Sequence, residues 1–136
     1  GGINLAAAAL SPHTEMFGAE PEGFDDHARS LVSGRRETNI RKSGSVCDAL
    51  LSERPGEITF AINQHRLKGV AIVTDADALA AVRYAFETLK LVVEPGGAAA
   101  LAAVLSGKIE TAGRTTVVVL TGGNVDPGVF ARAISD

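Results

Sequence analysis

Four carboxylates lie within seven residues near the start of the chain, in segment 20–26, whose sequence is EPEGFDD. Hard cations such as Mg²⁺ or Ca²⁺ bind carboxylate oxygens together with backbone carbonyls, so this segment is a candidate cation site. The alternative is a solvated acidic turn that leads into a helix, because acidic residues are common in a first helical turn. The spacing by itself favours the acidic turn.

Two glycine-rich loops occur later, at 94–97 (EPGG) and 121–124 (TGGN). The first precedes an apolar helix whose free N–H groups could hold an anion, although Glu94 places a negative charge ahead of it. The second follows an apolar run typical of a buried parallel strand. Because ligands of open α/β sheets bind beyond the carboxyl ends of strands, Thr121 is predicted to face a small-molecule site. For both loops, a plain turn is the alternative.

Other reactive side chains fall in less informative patterns. His13, His27 and His65 share no metal-ligand spacing and are interpreted as solvated surface residues. Cys47 is interpreted as a small buried residue, because no histidine is near it in sequence. None of the lysines stands out as a Schiff-base former. These lysines are Lys42, Lys68, Lys90 and Lys108.

These loops require a framework of alternating helices and strands, which the apolar patterns supply. Helices are predicted at 3–10, 26–33, from Pro55, at 75–89, at 98–105 and from Pro127, and strands at 14–19, 69–73 and 117–120. Thr74 and Asp77 resemble a capping box at the start of the fourth helix. The alternation argues for a mainly parallel α/β sheet.

Apolar periodicity predicts which helix faces are buried. In the third helix, Ile58, Ala61 and Ile62 share one face. The fourth helix has an apolar stripe at spacings of three, four and three. The members of this stripe are Leu79, Val82, Phe86 and Leu89. Arg83 and Glu87 are predicted to form an ion pair on its outer face.

The composition restricts the class of protein. The 136 residues suit one domain, and 46% hydrophobic with 4% aromatic content predicts a core of aliphatic side chains. A net charge of −3 without a basic stripe argues against a nucleic-acid partner, and no apolar run is long enough for a membrane span. The single cysteine favours a cytoplasmic location. The start at Gly1, without methionine, leads us to expect a piece of a longer protein.

Three ordered motifs carry a family resemblance. They are EPxxxDD at 20–26, LVVEPGGAAALAA at 91–103 and VVVLTGGNVD at 117–126. Together they resemble the C-terminal part of the threonine/serine dehydratase family, which has pyridoxal-phosphate fold type II and includes serine racemase. The resemblance runs over nearly the whole chain. It implies a three-layer sandwich with a mainly parallel sheet, in which residues 1–136 form the C-terminal part of the pyridoxal-phosphate-binding large domain.

The resemblance also implies roles toward the cofactor, pyridoxal 5'-phosphate. Thr121 matches the hydroxyl residue, usually Ser, that hydrogen-bonds the pyridine nitrogen. Glu94 matches an acidic residue near the cofactor ring. Ala49 stands where many members have Gly and the backbone passes the cofactor, so this position departs from the family pattern.

For the acidic segment, the resemblance reverses the interpretation from spacing alone. Glu20, the backbone carbonyl of Phe24, and Asp26 match the family's divalent-cation site, for Mg²⁺ or Ca²⁺. Family members are much longer, and their catalytic lysine and substrate-carboxylate loop lie upstream. The resemblance therefore implies no catalytic residue in this chain, the missing N-terminal part of the same enzyme as its partner, and a homodimer for the intact protein.

The implied reaction of the intact enzyme is elimination of water from a small β-hydroxy amino acid, which yields a 2-oxo acid and ammonia. Serine racemase and threo-3-hydroxyaspartate dehydratase are close alternatives, because the residues that select the substrate lie mostly upstream. A non-catalytic α/β binding module is the alternative from a different class.

Overall fold

The computed structural model describes residues 1–135. Within this range the elements are α1 (Gly2–Leu10), β1 (Met16–Pro21), α2 (Asp26–Ser33), α3 (Glu57–Asn63), β2 (Leu67–Val73), α4 (Asp75–Tyr84), α5 (Pro95–Leu105) and α6 (Pro127–Ser135). A 3₁₀ turn at Asp48–Leu50 precedes α3, and a π-helical turn at Ala85–Leu89 continues α4. None of the described helices is both long and apolar enough to cross a bilayer.

The two strands form a parallel pair, as the alternation of elements predicted. Phe17 lies opposite Gly69, and Pro21 lies opposite Val73. β1 extends past the predicted strand end, so Glu20 belongs to the sheet and pairs with Ile72 instead of lying in a loop. The acidic segment therefore begins within β1, at the carboxyl end of the strand.

The predicted strand at 117–120 is wrong for the described part of the chain. The sheet within residues 1–135 contains only β1 and β2, and segment 117–120 pairs with neither of them. Val117 is 84% exposed, so its apolar side chain is not enclosed by another layer. A strand requires a neighbouring ladder partner, and the described residues provide none here. The described residues therefore form an α/β structure with one two-stranded parallel sheet, which is only a part of the predicted three-layer sandwich.

The core lies between α4, α5 and the carboxyl end of β2, and it is built mainly from alanine and valine. The predicted stripe of α4 is correct at Val82 but wrong toward its end, where Phe86 and Leu89 are exposed. The helix changes to a π-helical turn at residue 85, which shifts the phase of the following side chains. The Arg83–Glu87 pair is also wrong, since Arg83 donates to the Ala133 carbonyl of α6 at 3.1 Å.

The predicted buried face of α3 is wrong. Ile58 is 78% exposed, whereas Phe60 and Asn63 are the buried residues. Both of them face His27 of α2: the Phe60 ring meets the imidazole edge-on at 6.1 Å, and the Asn63 amide lies within hydrogen-bond distance of it. Contacts with the His27 ring therefore accompany the buried face of α3. Apolar periodicity does not predict contacts of this kind.

Helix ends follow the predictions more closely, because capping depends on neighbouring residues. Thr74 and Asp77 form the complete capping box of α4. Gly34 ends α2 at a φ of 73°, the left-handed conformation that glycine adopts readily. Asp126 accepts hydrogen bonds from the Gly128 and Val129 amides and so caps α6.

Cys47 should react with iodoacetamide roughly 100-fold more slowly in the folded chain than in urea, at about pH 8. The residue is fully buried, as predicted, and burial raises the pKa of its thiol to about 11. The reactive thiolate is therefore both scarce and shielded. Mass spectrometry of a labelling time course would measure the two rates at the chain's single cysteine. Equal rates would contradict the buried position.

Candidate cofactor and cation site

The two glycine-rich loops, 24 or more residues apart in the sequence, meet at the start of α5. The Glu94 amide donates to the Gly122 carbonyl at 2.9 Å, and the Thr121 amide donates to the Gly97 carbonyl at 3.4 Å. The Glu94 carboxylate also accepts a hydrogen bond from the Asn124 amide at 3.1 Å. Both loops are therefore fixed to the same helix end.

Close backbone contact explains the glycines at this junction. A Cβ atom on Gly97 would lie 2.7 Å from the Gly122 nitrogen and 2.8 Å from the Gly122 oxygen. A Cβ atom on Gly122 would lie 2.5 Å from an oxygen of the Glu94 carboxylate. A side chain at position 97 would require the other loop to move, and one at position 122 would require the Glu94 carboxylate to move, so the pair of glycines permits the approach.

Ala49 also lies against the start of α5, beside the two loops. A Cβ atom on Gly96 would lie 3.3 Å from the Ala49 Cβ, so the 3₁₀ turn packs on the first turn of α5. The structure thus places Ala49, Glu94 and Thr121 around one helix end, although they are far apart in the sequence.

The exposed side of this helix end suits the ring of a cofactor. Thr121 is exposed, and its hydroxyl makes no hydrogen bond to another residue in the range 1–135. A neutral hydroxyl that is free of protein partners can donate to a ring nitrogen. The accessible hydroxyl is compatible with pyridoxal 5'-phosphate, and the role of Thr121 toward the pyridine nitrogen stays a prediction.

The acidic segment joins β1 to α2 through a tight turn. The Phe24 amide donates to the Pro21 carbonyl at 3.0 Å, and Gly23 adopts a φ of 82°, which favours glycine at this turn position. The Glu20 carboxylate accepts hydrogen bonds from the first amides of α2, those of His27 at 3.0 Å and Ala28 at 2.9 Å. Glu20 therefore neutralises part of the positive end of α2.

Burial makes the carboxylates of Glu20 and Asp26 costly to ionise. It raises the pKa of Glu20 to about 7, although the two amide hydrogen bonds oppose that shift. It also raises the pKa of Asp26, whose carboxylate accepts a 2.6 Å hydrogen bond from Asn39. A bound cation would favour the ionised forms of both groups.

The predicted cation ligands fit a hard cation by their chemistry. Glu20 and Asp26 supply carboxylate oxygens, and the Phe24 carbonyl would supply a backbone oxygen. Within residues 1–135, no group of three or more His, Cys, Asp and Glu side chains is arranged to hold a metal. A cation here would therefore rely on two carboxylates, the backbone carbonyl and water.

His27 is not the solvated surface residue that its sequence context predicted. The ring is half-buried against Phe60, and its Nε2 lies 3.0 Å from the Asn63 amide nitrogen. Burial lowers the pKa of His27, and the neighbouring Asp26 carboxylate opposes that shift. His13 and His65 are exposed, as predicted. The sequence offers no signal for Asn39 or Asn63, since neither stands in a recognisable motif.

A cavity of about 240 Å³ is lined by one residue of each candidate site, together with His27 and Asn63. Ala49 of the cofactor site and Glu20 of the cation site therefore border the same cavity.

Three of the four lysines pair with groups that are not among the predicted site residues. Lys108 pairs with Asp77 at 2.6 Å, Lys90 donates to a helix carbonyl, and Lys68 pairs with Glu15 at 3.4 Å. No hydrogen bond within residues 1–135 joins a lysine to Ala49, Glu94 or Thr121. The absence of the Schiff-base lysine from this chain stays a prediction.

Comparison with known proteins identifies relatives over most of this chain. Residues 1–122 match the family model described as pyridoxal-phosphate dependent enzyme. The chain is 34% identical over 134 residues to the L-threo-3-hydroxyaspartate ammonia-lyase of Saccharomyces cerevisiae, and the match covers 98% of this chain and 41% of the yeast protein. It thus spans about two fifths of the length of this relative.

Solved structures show the same relationship. The T.th. threonine deaminase is 38% identical with a TM-score of 0.84, over 92% of this chain and 42% of that protein. The serine racemase of Dictyostelium discoideum is 34% identical with a TM-score of 0.81, over 92% of this chain and 40% of that protein. The chain therefore belongs to the fold type II family of pyridoxal-phosphate dependent enzymes, which includes threonine deaminases, serine racemases and hydroxyaspartate ammonia-lyases.

Proposed function

We propose that this chain supplies the ring-facing loops of a pyridoxal-phosphate-dependent threonine/serine dehydratase. The observation that carries the proposal is the convergence of Ala49, Glu94 and Thr121 at the start of α5. The names of two relatives, an ammonia-lyase and a threonine deaminase, support the same reaction class. Serine racemase is the second candidate, because a racemase matches with 34% identity.

The residue that faces the ring nitrogen favours this chemistry. Bound pyridoxal phosphate would stabilise negative charge at the substrate Cα. Thr121 would donate a hydrogen bond to the pyridine nitrogen, and its neutral hydroxyl would not hold a proton there as a carboxylate would. A less electron-withdrawing ring suits elimination of the β-hydroxyl group once the Cα proton has been removed. The Glu94 carboxylate would stay bound to the Asn124 amide and so hold the loop that carries Thr121.

A divalent cation forms the second part of the proposal. Glu20, the Phe24 carbonyl and Asp26 would hold Mg²⁺ or Ca²⁺ at the end of β1. The raised pKa values of the two carboxyl groups support this assignment, because a cation offsets the cost of ionising buried acids. The cation would keep the turn from Pro21 to Phe24 in one conformation.

The remaining catalytic parts are proposed to lie outside this chain. No lysine of this chain stands in a recognisable Schiff-base motif, and the chain spans about two fifths of the length of its yeast relative, so we assign the Schiff-base lysine to an N-terminal part of the same enzyme. That part would bind this chain in a cytoplasmic enzyme that is a homodimer when intact. The substrate would be a small β-hydroxy amino acid.

The purified 136-residue chain should therefore form no 2-oxobutanoate from L-threonine and pyridoxal phosphate at an enzyme-like rate. A coupled assay for 2-oxo acids would measure the product. As the positive control, this chain is co-expressed with the part of the T.th. threonine deaminase that lies outside the matched region. Turnover by the chain alone would contradict the missing lysine.

In the complemented enzyme, replacement of Thr121 tests its assigned role toward the ring nitrogen. Thr121→Ser keeps the hydroxyl and should retain turnover, whereas Thr121→Ala should lose most of it, because the ring nitrogen loses its donor. Equal turnover of the two variants would contradict the assigned role. Chiral analysis of products from L-serine would decide between pyruvate, which indicates the dehydratase, and D-serine, which indicates the racemase.

A further inference from the structure

Helix α1 is attached to the domain by a polar residue. Asn4 is 6% exposed and is the buried residue of this helix, while Ile3, Leu5 and Leu10 are exposed. Asparagine is a weaker helix former than alanine, which fills the next turn of α1. A buried amide is stable only when it is hydrogen-bonded, so the partner of Asn4 determines how α1 is held.

The Asn4 side chain begins a series of hydrogen bonds that crosses three helices. Its amide nitrogen donates to the Asn63 side-chain oxygen of α3 at 2.8 Å. The Asn63 amide nitrogen lies 3.0 Å from His27 Nε2 of α2. The His27 backbone amide in turn donates to the Glu20 carboxylate at 3.0 Å. One side chain, Asn63, therefore joins α1 to the acidic segment.

The donors and acceptors of this series depend on one another. An amide nitrogen cannot accept, so Asn63 must donate to His27, and Nε2 must be the unprotonated ring nitrogen. The Asn63 oxygen then faces Asn4 and accepts a hydrogen bond from it. Loss of the acceptor at His27 would leave a buried donor on Asn63. Rotation of that amide would keep its bond to Asn4 only if the Asn4 amide rotated with it.

We propose that Asn63, acting between Asn4 and His27, is a positioning residue that ties helix α1 to the acidic segment at Glu20. A change in the acidic segment would thus reach α1 without any direct contact between them. The catalytic importance of this coupling rests on the proposed function, in which Glu20 holds a cation. The coupling itself requires neither ligand.

The test is hydrogen–deuterium exchange of the full 136-residue chain, without cofactor or added cation. In the His27→Leu variant, amides 6–11 of α1 should exchange about fivefold to tenfold faster than in the wild type, because the Asn63 amide loses its acceptor. Amides 98–105 of α5 serve as the internal reference and should not change. Unchanged exchange in α1, or equal acceleration in α1 and α5, would overturn the proposal.

A conservative variant separates positioning from simple packing. His27→Gln restores an acceptor oxygen toward Asn63 and should recover most of the α1 protection. His65→Leu, at an exposed histidine next to α3, is the matched control and should leave α1 unchanged. If the α1 amides were no better protected in His27→Gln than in His27→Leu, the hydrogen bond between His27 and Asn63 would carry no coupling.

The reciprocal measurement avoids any change at His27. Asn4→Ala replaces the buried amide in an alanine-rich helix, where folding is retained most easily. The amides of His27 and Ala28, which donate to Glu20, should then exchange about fivefold faster, since coupling acts in both directions. Wild-type exchange at these two amides would overturn the proposal. Turnover of the complemented enzyme is a separate experiment, so failure of the proposed function would leave these results intact.

Discussion

Replacement of Gly97 by alanine is expected to lower the free energy of unfolding of the chain by about 2 kcal/mol. The new Cβ would lie 2.7 and 2.8 Å from backbone atoms of Gly122, which cannot rotate away as a side chain can. The loop that carries Thr121 must then leave the start of α5. Urea unfolding followed by circular dichroism would measure the change.

The magnitude follows from the contacts that hold this loop. Its displacement breaks three hydrogen bonds, from Glu94 to Gly122, from Thr121 to Gly97 and from Asn124 to Glu94, each worth about 1 kcal/mol. Alanine gains about 1 kcal/mol over glycine inside a helix, which offsets part of the loss. The same displacement would move Thr121 away from Ala49 and so disrupt the proposed cofactor site.

Two further glycine substitutions make the result specific. Gly2→Ala in α1 is the matched control, because its Cβ would meet nothing within 4 Å, and it should be neutral or slightly stabilising. Gly122→Ala should cost less than Gly97→Ala, since its Cβ meets the movable Glu94 carboxylate. If Gly97→Ala were as stable as Gly2→Ala, the close approach of the two loops would be refuted.

Features set by neighbouring residues were the most predictable. The capping box at Thr74 and Asp77, the glycine at position 34 and the aspartate before α6 each act within four residues. Such patterns are visible in the sequence because the partners are adjacent in it. The positions of the helices were predicted from local patterns in the same way, and the parallel pair β1–β2 was predicted from the alternation of elements.

Features set by distant partners were less predictable. Segment 117–120 has the composition of a strand, but strand formation depends on a neighbour that the described residues do not supply. The orientation of α3 was wrong because Phe60 and Asn63 face a histidine, so polar contacts override the apolar pattern around Ile58. Both errors arise from tertiary partners that local patterns do not encode.

The candidate site combines both kinds of information. The family resemblance named Thr121, Glu94 and Ala49, and the structure brings these residues to one helix end. The spacing did not reveal how closely the loops approach, because the contact of Gly97 with Gly122 joins positions 25 residues apart. Their roles toward a cofactor stay predictions that the Thr121 variants would test.

Replacement of Phe24 by alanine should have the largest effect on stability, a loss of about 4 kcal/mol. Phe24 is the largest fully buried side chain, and its truncation leaves a cavity in addition to the lost burial of apolar surface. That loss is a large fraction of the stability of a typical domain. Thermal and urea unfolding should therefore show a strong decrease in both midpoints.

Two control variants accompany Phe24→Ala, one at a more exposed phenylalanine and one with a larger side chain at position 24. Phe17→Ala removes an aromatic ring that is 41% exposed on β1, so it should cost clearly less. Phe24→Leu keeps most of the buried volume and should cost about 1 kcal/mol. A loss at Phe24→Ala no greater than that at Phe17→Ala would show that the buried ring does not anchor this segment.

The same variants test whether the Phe24 side chain, in addition to its backbone carbonyl, is needed for cation binding. Alanine retains the carbonyl proposed to bind a cation, as well as the carboxylates of Glu20 and Asp26. If the buried ring holds this carbonyl in place, calorimetric titration with Ca²⁺ should show weaker binding to Phe24→Ala than to Phe24→Leu. Equal affinity in two folded variants would show that the turn from Pro21 to Phe24, with Gly23 at positive φ, suffices to present the carbonyl without its side chain.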